Sequence, residues 1–221
     1  EELYSTFDEQ IKAMAVRYKT TEEGMKYKLK RKFDGYHFSP NMLDIYNPFS
    51  ILNALSKKIL ADYWFRTGSP TYLIRLLSHF DENINEMVNR FYPTSSFIDY
   101  KADVEAPLPM IYQSGYLTIK GYDPDFRIYN LAYPNGEVRQ GFVESLLPAY
   151  VHLPGENSTF YVVSFIRDLR KGDIESCLER TRSFFASIPN DLENKTEKHY
   201  QTIFYLLFRL MGQYVDAEVK S

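Results

Sequence analysis

Four histidines, His37, His79, His152 and His199, and a single cysteine, Cys177, are the side chains best suited to metal or nucleophilic chemistry in this sequence. No histidine has a second histidine or a cysteine at i+3 or i+4, the spacing of a helical zinc site, so no metal centre is predicted. His37 and His199 read as hydrogen-bonded or exposed side chains. Cys177 has no disulfide partner, sits in an apolar helical pattern and lacks a flanking nucleophile signature. It reads as a buried helix residue of a protein in a reducing compartment. A Gly-x-Ser-x-Gly elbow is absent, and ten glycines scattered singly make no Gly-x-x-x-x-Gly-Lys-Ser/Thr phosphate loop.

Cations come next. Lys120 and Arg127 lie on a predicted β-hairpin and Arg139 opens the helix after it, so the three could grip nucleic-acid phosphates. Asp123, Asp125 and Glu137 stand beside them and oppose that field, and packing against protein explains the same residues equally well. The net charge of −3 gives no global nucleic-acid footprint. Lys26, Lys28, Lys30, Arg31 and Lys32 spread around more than one face of a helix, which suits a solvated surface.

The elements that would position these groups are mostly helical. Thr6 and Glu9 form a capping box before an apolar helical pattern, and Thr20 and Glu23 repeat it before a helix ending near Phe33. Asn47 followed by Pro48 predicts a helix start, as does Ser69 followed by Pro70. Tyr63, Trp64 and Phe65 between them require burial, and all three are assigned to the core. Helical spacing continues over residues 81–91, with Pro93 as the stop, and residues 94–106 are polar and irregular.

A short helix over 108–114, stopped by Gly115, precedes the strands 116–120 and 126–131, joined by a turn over 121–125. Further helices are predicted from Val138 to Tyr150 and over 160–169, 174–185 and 196–211, with a boundary at 153–157. The fold class is therefore mainly α (α+β).

Three groups of motifs carry a resemblance. Asp34-Gly35-Tyr36-His37-Phe38, Tyr46-Asn47-Pro48-Phe49-Ser50 and the run from Tyr63 through Trp64, Gly68 and Ser69 to Pro70 form the first. Gln113-Ser114-Gly115-Tyr116-Leu117-Thr118-Ile119 with Tyr133-Pro134-Asn135-Gly136-Glu137-Val138-Arg139 form the second, and Glu197-Lys198-His199-Tyr200-Gln201-Thr202-Ile203-Phe204 the third. In words and order they resemble the AAA-ATPase-like proteins, common in Bacteroides-type bacteria, that carry a C-terminal PD-(D/E)xK nuclease-like domain.

That resemblance covers nearly the whole chain and implies three parts: a helical lid over 1–92, a winged-helix-like part over 93–152 and the first helices of a nuclease-like domain over 153–221. It implies that Gly68-Ser69-Pro70 touches the base of a nucleotide held by an ATPase core upstream; by spacing alone the same residues are a helix cap. It also implies that Glu197 is an auxiliary acid of the nuclease-like domain; by position alone Glu197 is a first-turn residue favoured by the helix dipole. ATP and Mg²⁺ are the cofactors expected of the parent protein, and its ATPase and nuclease-like cores, with DNA, the partners. No catalytic or metal-binding residue is assigned within the chain.

With 221 residues, 44% of them hydrophobic, the chain suits globular domains. No run approaches a membrane span and the start lacks a signal peptide, so the expectation is a cytoplasmic protein without membrane contact. A start without Met and an end on Val215-Asp216-Ala217-Glu218-Val219-Lys220, which reads as a sheet edge, suggest a fragment that is catalytically silent by itself. The rival class is a stand-alone helical protein-protein interaction module using its 19 tyrosines and 16 phenylalanines.

Overall fold

The chain is mainly α with one small sheet, in a computed structural model that describes residues 2–39, 43–66, 71–80, 87–98, 107–151, 155–188 and 197–215. Ten helices occur among the described residues: α1 (Glu2–Thr6), α2 (Asp8–Arg17), α3 (Glu22–Phe33), α4 (Pro48–Lys57), α5 (Thr71–Phe80), α6 (Leu108–Gln113), α7 (Gly136–Val151), α8 (Gly155–Arg170), α9 (Ile174–Ser187) and α10 (Glu197–Val215). Three strands, β1 (Arg90–Pro93), β2 (Thr118–Asp123) and β3 (Ile128–Ala132), form an antiparallel sheet in the order β1-β3-β2. No described helix is long and apolar enough to cross a membrane. The chain divides into two compact units, Glu1–Ser69 with Met87–Gly141, and Pro70–Glu86 with Phe142–Ser221.

In the first unit α2, α3 and α4 enclose a core of Ile11, Met14, Met25, Leu29, Phe33, Ile51, Leu55 and Tyr63. The Asn47-Pro48 start forms as the sequence predicts: the Asn47 side chain accepts from the Ser50 N–H and Pro48 is the first helical residue. The two capping boxes do not. Thr6 ends α1 and its hydroxyl bonds back to the Glu2 carbonyl, so it is spent on a helix end and cannot cap the next start. At α3 the cap is Thr21, which accepts from the Gly24 N–H, one residue after the expected Thr20.

The aromatic trio separates. Tyr63 enters the core, whereas Trp64 and Phe65 are half-buried, and Trp64 stands edge-on to Phe65 and Tyr116 with ring centroids 5.0 and 4.8 Å apart. A 3₁₀ turn over Trp64–Arg66 rotates successive side chains by about 120°, so three neighbours cannot face one core.

The predicted helix does not extend to Phe91. Asn89 adopts a left-handed backbone, φ +61°, and Arg90–Pro93 pairs with β3 instead. Asn tolerates that conformation, and Phe91 and Tyr92 gain a sheet partner that local periodicity cannot reveal. Pro93 is allowed because β1 is an edge strand.

Helix α6 ends as expected at Gly115, φ +79°: the Gly115 N–H bonds to Tyr112 O and the Tyr116 N–H to Ile111 O, a Schellman closure. The hairpin also forms, but its turn lies later than 121–125. Asp123 accepts from the N–H groups of Asp125 and Phe126, fixing the turn beyond it. In the register, Ile119 faces Leu131 and Gly121 faces Asn130, which leaves Lys120 as the extra residue of a β-bulge.

In the second unit α8 packs against α9 and α10, burying Val162, Phe165, Ile166, Phe184, Ile203, Leu206 and Leu210. Cys177 is buried here, as expected, and burial pushes its thiol up. A thiol reagent should therefore modify Cys177 at least on the order of a hundredfold more slowly in native buffer than in denaturant. Equal rates in the two conditions would show the thiol to be reachable in the folded unit.

Candidate functional site

In the first unit the segment 34–38 lies where the helical bundle meets the hairpin, and Gly35, Tyr36 and His37 make contacts there that the sequence does not announce. Gly35 has φ +111°, which admits a close approach to the Pro134 carbonyl. Asp34, nearly buried, accepts from the Gly35 N–H; its burial raises the carboxyl above the usual carboxylate range, against that hydrogen bond. The Tyr36 hydroxyl donates to Gly115 O at 3.2 Å and also bonds the Asn47 side chain, while its backbone pairs with Ile45. Neighbouring Tyr116 is pushed up to about 12 by burial.

His37 is the most heavily bonded member. Thr118 Oγ1 accepts from the His37 N–H at 2.9 Å and donates to the His37 carbonyl at 2.8 Å, a reciprocal pair between the loop and β2. Its Nδ1 lies 2.6 Å from Ile119 O, which can only accept, so Nδ1 carries a hydrogen. Nε2 faces Asp44 Oδ1 at 2.7 Å, an ion pair when the ring is protonated, and Lys30 lies 3.7 Å from the other Asp44 oxygen.

The bulge turns Lys120 toward the same loop, where its ammonium donates to Gly35 O; burial lowers its pKa while Asp44 and Asp34 pull the other way. Beside it opens a cavity of about 320 Å³ lined by Tyr27, Lys30, Arg31, Asp34, Asp44 and Lys120, with Gly35 and Pro134. Tyr27, Lys30 and Arg31 share one face of α3 by their i, i+3, i+4 spacing.

A second node lies at the start of α7. Asn135 caps it by accepting from the Val138 N–H, and Glu137, fully buried, accepts through Oε1 from the N–H groups of Tyr63 and Trp64. Glu137, expected from sequence to stand beside the hairpin cations and oppose their field, is instead a core acceptor. It ties the aromatic turn to α7.

The residues singled out from sequence are placed separately. Lys120 faces the cavity, Arg127 is exposed at the hairpin turn with φ +53°, and Arg139 lies in α7 with its Nε buried. Glu197 is exposed at the start of α10 and accepts from Gln201 Nε2 at 3.1 Å. Gly68, Ser69 and Pro70 lie outside the described residues, as do His152 and the side chains of His79 and His199. Sequence reasoning missed the cavity residues Asp34, Asp44 and Arg31 as a group. Their one sequence signal was the Asp34-Gly35 step, since Gly before an aromatic run marks a special backbone position.

No family model matches the chain, and no solved structure matches it. A protein from Azotobacter chroococcum mcd 1, described as an uncharacterized protein in the vnfD 5′ region, is 32% identical over 200 residues. The match takes in 84% of this chain and 37% of that protein, so the chain spans little more than a third of the length of the curated relative it matches.

Proposed function

We propose that the chain is a non-catalytic module of a longer AAA-type ATPase-like protein with a PD-(D/E)xK nuclease-like domain. Its first unit joins a helical bundle to a hairpin, and Gly68-Ser69-Pro70, outside the described residues, is the proposed nucleotide-sensing turn. The observation that carries this reading is where the shared motifs fall. Gly35, Tyr36 and His37 of the first motif are spent on bonds to Lys120, Gly115, Thr118 and Ile119, which join the bundle to the hairpin and the helix before it, while Asn47 of the second caps α4. Motif residues used to join elements suit a part that transmits position better than one that performs chemistry. On this reading ATP and Mg²⁺ belong to the parent's ATPase core, and Arg127, exposed at the hairpin turn, is the cation best placed for DNA or another domain.

The test is Pro70→Ala in a chain that includes a phosphate loop. Loss of one apolar contact with the base should weaken nucleotide binding roughly ten-fold, about 1–2 kcal/mol, with little change in melting, since the cap that the sequence assigns to Ser69 is retained. Unchanged affinity with a lower melting temperature would leave Gly68-Ser69-Pro70 as a structural cap and sink the sensing role. The rival reading, a stand-alone interaction module, draws on Phe38 and Leu43, which are 73% and 79% exposed. A gene without an upstream phosphate loop and a downstream Asp…Glu-x-Lys would favour it.

A further inference from the structure

We infer that the cavity between α3, the 34–35 turn and the Lys120 bulge binds the phosphoryl group of a small phosphomonoester, with Arg31 and Lys120 as its anchors and Tyr27 at its rim. The inference rests on the first unit alone and stands whether or not the chain belongs to an ATPase. Three features of the fold converge there. A bulge, which re-aims a side chain out of the regular alternation of a strand, brings Lys120 to the cavity wall. Its ammonium has three donors, and the described hydrogen bond, to Gly35 O, uses one of them. Arg31 presents its five-donor guanidinium from the last turn of α3 and makes no hydrogen bond or ion pair among the described residues.

The carboxylates in the wall do not defeat an anion. Asp44 lies 2.7 Å from His37 Nε2 through one oxygen and 3.7 Å from Lys30 through the other, so both its oxygens have neighbours within the fold. Asp34 is nearly buried, which raises its pKa, and one of its oxygens is engaged by the Gly35 N–H. The lining carries three cations, Lys30, Arg31 and Lys120, against two carboxylates, Asp34 and Asp44, around a space of about 320 Å³, at the small end of ligand cavities. Asp34 and Asp44 remain acceptors, which suits hydroxyl groups on the organic part of the ligand. An anion bonded to Lys120 would also offset the desolvation that lowers its pKa.

Titration of the 221-residue chain with inorganic phosphate and with ribose 5-phosphate, followed by amide and Arg Nε chemical shifts, tests the site. Saturable shifts centred on Arg31, Gly35 and Lys120 are expected with both. Arg31→Ala and Lys120→Met should each weaken binding about tenfold or more, as loss of a charge-assisted contact to phosphate does. Lys28→Ala, which removes an exposed lysine of the same helix, should change it less than about twofold if only the two anchors are involved. Arg31→Ala keeps the test open should Lys120→Met fail to fold. Ribose 5-phosphate binding tighter than phosphate, with the advantage lost in Asp44→Asn, identifies a phosphorylated polyol; equal affinities identify the phosphoryl group alone. Absence of saturation, or equal weakening by Lys28→Ala and Arg31→Ala, overturns the inference.

Discussion

Gly35→Ala is expected to destabilise the first unit by about 3–5 kcal/mol, well into the large tail of single substitutions. Two independent costs add. The backbone at Gly35 has φ +111°, a conformation that L residues rarely adopt, for which strain of about 1–3 kcal/mol is usual. A β-carbon there would also sit 2.3 Å from the Pro134 carbonyl oxygen and 2.8 Å from Lys120 Nζ. The lysine end can swing away, at the loss of its bond to Gly35 O. The carbonyl cannot move without shifting the chain between β3 and the Asn135 cap of α7. Trp64, the single tryptophan, lies in the first unit, so its fluorescence during urea unfolding reads the loss directly. A decrease below about 1 kcal/mol would mean that the turn relaxes and that the Gly35 conformation is not required.

Glu137→Ala is expected to cost a similar amount, about 3–5 kcal/mol, because it removes the acceptor that two buried or half-buried backbone N–H groups share. The reason is an asymmetry: the net gain of a hydrogen bond is small, but a donor left in the core bears its full desolvation penalty. Glu137→Gln separates that effect from simple loss of volume. The amide oxygen can take the place of Oε1, but its NH₂ falls where Oε2 now lies, buried and without a hydrogen-bond partner among the described residues. A cost of about 1–2 kcal/mol is expected for Gln, between wild type and Ala. Equal unfolding midpoints for the Gln and Ala variants would show that the shared acceptor is not what holds the aromatic turn to α7.

Much of the helical content was legible because its signals are local. Asn47-Pro48, Gly115, and the apolar spacing of Val138, Phe142, Val143, Leu146 and Leu147 each act within one or two turns, and each appears in the structure where it was read. The failures share a different cause. Thr6 and Thr21 both satisfy a helix end, but which Thr does so depends on where the preceding helix stops. Residues 90–93 carry no strand alternation that could outvote a helical pattern. They become a strand through pairing with residues 128–131, which are distant in sequence.

The candidate site divides the same way. Single-residue properties, such as the tolerance of Gly35 for positive φ, the unsuitability of Cys177 as a nucleophile and the scarcity of helical metal ligands, follow from sequence because they concern one residue and its near neighbours. The grouping of Arg31, Asp34, Asp44 and Lys120 around one cavity, and the burial of Glu137 beneath the Tyr63-Trp64 turn, were decided only by the tertiary structure. A one-residue bulge decides which way Lys120 points, and a backbone donor some 74 residues away decides whether Glu137 is a surface charge or a core acceptor. Side-chain direction and desolvation are set by the chain that closes over a residue, and one strand's worth of sequence does not contain that chain.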